Sequence, residues 1–102
     1  MEIKDLKTID IMSYEWFDKV NGNSYFSAIL HLNYGLKDVM VIKLPFQYGY
    51  DNHYEEQAFK EIKQILNLNK RLCGLSRFCR ENNIILRSNK KENCLKKELL
   101  NI

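Results

Sequence analysis

The sequence predicts an α+β fold: a three- to four-stranded antiparallel sheet with two helices and a short C-terminal helix packed mainly on one face. Three observations carry this reading. Residues 24–33 alternate apolar and polar side chains with the period of a half-buried strand. From residue 53 onward the apolar positions take up a helical period instead. The chain has 102 residues, 45% hydrophobic and 28% charged, which supplies one modest core, so 1–102 reads as a single domain.

A first strand is expected over 6–18, where Ile9 and Ile11 fall on one parity and Met12, Tyr14 and Trp16 on the other; a bulge would reconcile them. Asn21-Gly22 marks a tight hairpin turn, because both residue types tolerate positive φ. The second strand then points Phe26, Ala28, Leu30 and Leu32 to the core. A third, over 39–48, places Met40, Ile42, Leu44 and Phe46 on one face. Pro45 within it cannot donate to a ladder and marks a sheet edge or an exit from the sheet.

Asn52 followed by Glu55 has the spacing of a capping box, opening a helix to about residue 67 that buries Tyr54, Ala58, Ile62, Ile65 and Leu66. A second helix over 68–81 would bury Leu68, Leu72, Leu75 and Cys79, with Lys70, Arg77 and Arg80 on its reverse side and Gly74 as a kink or close contact. A short strand at 84–87 follows. Asn89 and Glu92 repeat the capping spacing before a last helix with Leu95 and Leu99 inward and Lys96 and Lys97 outward.

The net charge of +3 conceals an asymmetry. Residues 1–66 carry seven Lys or Arg against ten Asp or Glu, whereas residues 67–102 carry nine against three. The basic residues of that last third are Lys70 and Arg71, Arg77 and Arg80, Arg87, Lys90 and Lys91, and Lys96 and Lys97. They form the candidate contact surface, for phosphates or for a partner that faces nucleic acid. The stretch "PFQYGYDNHYEE" (45–56) supplies a second candidate. A helix N-terminus ringed by aromatic groups suits an anion, but Asp51, Glu55 and Glu56 compete for the same positive end, which leaves Tyr50 and His53 as exposed contacts.

Other functions find less in the residues. Cys73, Cys79 and Cys94 form neither an even disulfide set nor a CxxC pair, and His31 and His53 stand apart from them, so reduced thiols without a metal or cofactor are expected. Cys73 has no histidine near it in sequence to act as a base, and the four glycines make no phosphate loop; the chain therefore reads as a non-enzymatic protein. Apolar runs are too short to span a bilayer and "MEIKDLKTID" has no signal-peptide block, which predicts a cytoplasmic protein without a membrane partner.

Two stretches, "EWFDKVNGNSYFS" (15–27) and "PFQYGYDNHYEEQAF" (45–59), resemble a group of small, largely uncharacterised bacteriophage proteins. In that group a Trp-Phe-Asp-Lys strand, a Gly-Asn turn and a Pro-Phe…Tyr-Gly-Tyr corner recur in this order. The resemblance covers about half the chain and carries no catalytic residues. It implies a phage-type protein in a bacterial host cytoplasm that binds host machinery, defence complexes included. The order of three strands and a helix is also similar to the second half of a double-stranded RNA-binding domain, but His53, Tyr54, Glu55 and Glu56 stand where that family bears its phosphate-gripping lysines. The expected function is therefore occupation of a host protein or protein–nucleic-acid complex through the basic C-terminal face. Direct nucleic-acid binding by the same face is the alternative, and pairing with a second copy beside Pro45 stays open.

Overall fold

The computed structural model describes residues 1–102 as an α+β domain. Its elements are a 3-10 turn at Ile3–Asp5, β1 (Thr8–Asp18), β2 (Asn23–Leu32), β3 (Met40–Tyr48), α1 (His53–Ile65), α2 (Leu75–Glu81), β4 (Ile85–Lys91) and α3 (Lys96–Leu100). The four strands form one sheet in the order β3-β2-β1-β4.

The expected antiparallel sheet is corrected to a mixed one. β1–β2 and β2–β3 pair antiparallel, but β4 lies parallel to β1, with Thr8 opposite Ile85 and Tyr14 opposite Lys91. The cause is the connection. A helical crossover can carry the chain back across the sheet so that the next strand starts at the same end as the last. Here α1 and α2 bring β4 to the start of β1, where the Ile85 N–H donates to the Lys7 carbonyl at 3.0 Å.

The expected layering also changes. Ile9, Ile11, Ala28, Leu30, Leu32 and Leu44 form the core beneath α1 and α2 with Ala58, Phe59, Ile62, Phe78 and Cys79. Each fully buried Leu, Ile or Phe among them contributes about 2 kcal/mol of apolar transfer. α3 covers the opposite face: Leu99 is buried outside that core, and Lys96 stands over the Trp16 and Phe46 rings. Both parities of β1 are thus used, Ile9 and Ile11 under α1 and α2, Trp16 under Lys96. β1 needs no bulge and pairs with β2 without interruption from Ile9↔Leu32 to Asp18↔Asn23.

The irregularity falls in β3. Leu44 pairs with Ala28 and Gln47 with Phe26, so Pro45 and Phe46 together face the single residue Ser27. This bulge turns Phe46 away from the Met40, Ile42 and Leu44 face onto the Tyr25 ring, 5.1 Å away and nearly parallel. The β1–β2 turn spans four residues rather than two, and only Gly22 in it has positive φ. Asp18 closes that turn by accepting hydrogen bonds from Val20 N, Asn21 N and Asn21 Nδ2. The Asn21 carboxamide in particular holds the Asp18 carboxyl below its ordinary pKa.

The helix starts differ too. Asn52 makes no side-chain cap; its carbonyl accepts the Glu55 N–H instead. The second helix is shorter than expected. Asn67 (φ 54°) ends the helical path, and Gly74, at φ 87°, is the N-cap of α2 rather than a kink inside it. Leu72 is consequently exposed. β4 runs to Lys91, so Asn89 is a strand residue, and α3 is opened by the Glu98 carboxylate accepting the Leu95 N–H.

One buried polar residue ties three segments together. Asn33, with φ 59°, accepts hydrogen bonds from Lys7 N (2.7 Å) and Thr8 N (3.3 Å) and donates to the carbonyls of Asp5 (2.8 Å) and Asp38 (3.3 Å). It thereby fixes the entry to β1, the end of β2 and the approach to β3. Asn33→Ala is expected to cost about 3 kcal/mol in urea unfolding, since Lys7 and Thr8 N–H groups lose their acceptor. Asn33→Gly should cost about 1 kcal/mol less, because glycine meets the positive φ without strain.

Candidate functional site

The two motif stretches meet at one end of the sheet. Trp16 stacks on Tyr25 at 5.5 Å, Tyr25 on Phe46, and Tyr48 meets the Tyr25 ring edge-on at 5.9 Å. Gly49 follows, and its N–H donates to the Ser24 carbonyl at 3.1 Å. A Cβ at Gly49 would lie 2.7 Å from both Phe26 Cε1 and His53 Cδ2. Glycine is required there by the two rings against its Cα, and not by its φ. The ring of His53 meets Phe26 edge-on, and its Nδ1 lies 3.2 Å from a Glu56 carboxylate oxygen. Tyr54 is buried with its hydroxyl 2.9 Å from Ser88 Oγ. The corner is therefore chiefly architecture. Tyr48 and Tyr50 remain exposed at its rim, and His53 is half-buried.

The nine cations of the last third do not gather on one surface. Lys70 and Arg71 lie in the turn between α1 and α2, outside any helix, so Lys70 does not share a helix face with Arg77 and Arg80. Arg77 is held by Glu81 at 2.8 Å. On β4, Arg87 donates Nε and Nη2 to the Asp10 carboxylate, the latter at 2.9 Å. Both arginines are raised above the ordinary guanidinium pKa, first by the hydrogen bonds to these carboxylates and then by their charges. Lys90 is largely enclosed between Glu15 (3.8 Å) and Glu92 (3.7 Å), and Lys91 faces Glu98 at 3.8 Å. Lys96 points back over Trp16 (5.5 Å) and Phe46 (5.9 Å) rather than outward. Arg87, Lys91 and the α3 lysines lie on the side of the sheet opposite α1 and α2.

Cations without a carboxylate partner concentrate instead beside α1. Lys60, Lys63, Gln64, Asn67, Leu68 and Lys70, with Glu56, line a cleft of about 520 Å³. Lys63 builds it: its ammonium donates to the carbonyls of Lys70 (3.1 Å) and Leu72 (2.6 Å) and lies 4.9 Å from the Phe59 ring centroid. That staple folds residues 67–72 back along the helix and brings Lys70 to the side of Lys60. Glu56 is already turned toward His53. Lys60 and Lys63 belong to residues 1–66, whose net charge is negative, yet positions 60, 63, 64 and 67 recur at the spacing of one exposed helix face.

Cys73 is exposed, beside a second groove that includes Lys63, Phe59 and Glu55, while Cys79 and Cys94 are buried. Burial pushes the Cys79 thiol up to about 11 from 9.0 and raises Cys94 as well. No three His, Cys, Asp or Glu side chains converge as metal ligands. No helix is long and apolar enough to cross a membrane. No protein-family model, curated protein or solved structure matches the chain.

Gly49→Ala is expected to destabilise the fold by about 1–3 kcal/mol through overpacking of Phe26 and His53, read as a lower urea midpoint. A thiol reagent at neutral pH should label Cys73 alone until the protein unfolds, as mass spectrometry of labelled peptides would show. The folded state keeps Cys79 neutral where the unfolded chain ionises, so this contribution to stability is full below pH 9.0 and declines as the pH rises toward about 11.

Proposed function

We propose that this chain is a non-enzymatic, phage-type binding protein that seats its cationic α1 face and the following turn on an anionic surface of a host macromolecular complex. The observation that carries the reading is the cleft of Lys60, Lys63 and Lys70, whose only carboxylate is engaged with His53. The cleft is held open by main-chain carbonyls on Lys63, so its charges are positioned before a partner arrives. Of the residues predicted from sequence, Lys70 lines this cleft. The phage and host setting rests on the two motif stretches. Direct nucleic-acid binding by this face is the competing reading, because ammonium groups along a cleft serve phosphates equally well.

Affinity capture from bacterial lysate with the wild-type chain and with the Lys60→Glu/Lys70→Glu variant separates the two. The expected result is a host complex retained by the wild type after nuclease treatment and lost with the variant. Binding to short DNA or RNA that weakens by about one log unit per log unit of salt for each phosphate contacted would establish the competing reading instead. Equal capture by both proteins would remove the cleft from the contact altogether.

A further inference from the structure

His53 belongs to the aromatic corner, but one of its partners belongs to the cationic cleft. It opens α1 with its ring wedged where the corner closes: Phe26 meets it edge-on at 6.0 Å between centroids, and Gly49 leaves room for its Cδ2 edge. Both ring nitrogens are engaged. Nδ1 stands 3.2 Å from Glu56 Oε2, and Nε2 stands 3.2 Å from the carboxamide nitrogen of Gln57. A carboxamide nitrogen only donates, so Nε2 accepts, and the proton of the neutral imidazole sits on Nδ1, facing the carboxylate. Protonation of the ring makes that bond charge-assisted at both ends, with the Gln57 side chain turning to offer its oxygen. Glu56 is held in either state.

Glu56 has a second partner within reach. It precedes Lys60 by four residues on α1, the favourable order for a carboxylate and an ammonium on one helix face. Both line the cleft, where the Lys63 ammonium is already committed to the Lys70 and Leu72 carbonyls. Lys60 and Lys70 are thus the charges left for a partner, and a Glu56 released from His53 would cancel the first of them. No other cation draws Glu56 toward the corner. Tyr48, Tyr50, Asp51 and Asn52 line the open side of the ring without a Lys or Arg among them, and Phe26 from β2 is apolar. Glu15 on β1 and Lys90 on β4, in the recess behind Tyr50 and Asp51, pair with each other at 3.8 Å.

We propose that His53 is a positioning residue for the α1 cleft: by donating its Nδ1 proton to Glu56 it keeps that carboxylate off Lys60, and so keeps the cleft cationic for an anionic partner. The aromatic corner and the cleft are then one device. Gly49 and Phe26 orient the ring, the ring holds Glu56, and the held Glu56 leaves Lys60 free. The consequence for binding rests on the reading of the cleft as the contact surface. The hold itself is a property of the free chain and is tested without a partner.

Long-range proton–nitrogen NMR of the imidazoles in the whole chain reads the tautomer, and at about pH 8, where histidine is neutral, His53 should carry its proton on Nδ1. Two substitutions separate the hold from packing. His53→Phe keeps a ring against Phe26 and loses the donor, whereas His53→Asn loses the ring and places an amide N–H where Nδ1 stands. Acetylation of Lys60 by a limiting amine-reactive ester, followed by peptide mass spectrometry, should slow about twofold in His53→Phe as Glu56 pairs with the ammonium. It should stay near the wild-type rate in His53→Asn and return to that rate in His53→Phe/Glu56→Gln. A packing role alone predicts the opposite ranking of the two single variants. Capture of the host complex should fall about threefold with His53→Phe and recover with Glu56→Gln added. Should Lys60→Glu/Lys70→Glu leave capture unchanged, the cleft is not the contact, and the tautomer and the Lys60 rates still decide whether His53 holds Glu56. The proposal is overturned by a wild-type ring protonated on Nε2 alone, by unchanged Lys60 acetylation in His53→Phe, by His53→Asn behaving as His53→Phe does, or by a loss that persists with glutamine at position 56.

Discussion

The placement of β1 constrains everything else in this fold. It is hydrogen-bonded on both sides, antiparallel to β2 and parallel to β4; its Ile9 and Ile11 face packs into the main core, and Trp16 on the other face meets Phe46 and Lys96 of α3. A strand in that position cannot shift register by one residue, because the shift would exchange Ile9 and Ile11 with Met12, Tyr14 and Trp16 and leave neither layer its packing. Asn33 sets the phase at one end through Lys7 and Thr8, and the Asp18 turn sets it at the other. Helices, turns and charges are arranged around a register defined twice.

Two-sided burial also decides the electrostatics. Cations of the basic last third go to different layers: Arg77 and Arg80 with α2, Lys96 and Lys97 with α3. Along β4 itself alternation separates Lys90, which turns toward Glu15 on the α1 side, from Arg87 and Lys91 on the other. Much of the excess positive charge is then spent internally, on Asp10, Glu15, Glu81, Glu98 and two aromatic rings. Beside α1, in the stretch of the chain whose net charge is negative, Lys60 and Lys63 have no carboxylate partner and share a cleft with Lys70. Charge counted along sequence and charge presented on a surface differ here because the sheet sorts alternate residues to opposite sides.

The elements readable from sequence are those whose large apolar residues fall on one face. β2 alternates cleanly, and the core stripe of α1 stands out, because Phe26, Leu30, Tyr54, Ala58 and Ile62 all face the same interior. β1 misleads: two apolar parities signify a strand covered twice, which a pattern rule reads as a bulge. The real bulge hid behind Phe46, whose alternation with Leu44 is sound until Pro45 adds a residue. α2 misled for another reason. Leu68, Leu72 and Leu75 have helical spacing, but Gly74 and Asn67 sit in left-handed backbone that interrupts it, and helical periodicity does not record φ. The parallel pairing was within reach, since a strand that returns after a helical crossover runs in the sense of the strand before it. The α1 cleft was within reach as well, through the spacing of Lys60, Lys63, Gln64 and Asn67, and needed only that α1 be read for its exposed face as well as its buried one.

With its period of two, β4 supplies side chains to both faces of the sheet: Leu86 and Ser88 to the α1 layer, Arg87 to Asp10 on the other. Those side chains hold the strand in register, and a strand at the end of a sheet presents a row of unpaired backbone groups. β3 meets the same problem with a proline and a bulge. β4 has neither. The basic side chains along β4 instead secure the domain, tying the edge strand to β1 through Asp10 and Glu15 and to the segment that follows through Glu92 and Glu98.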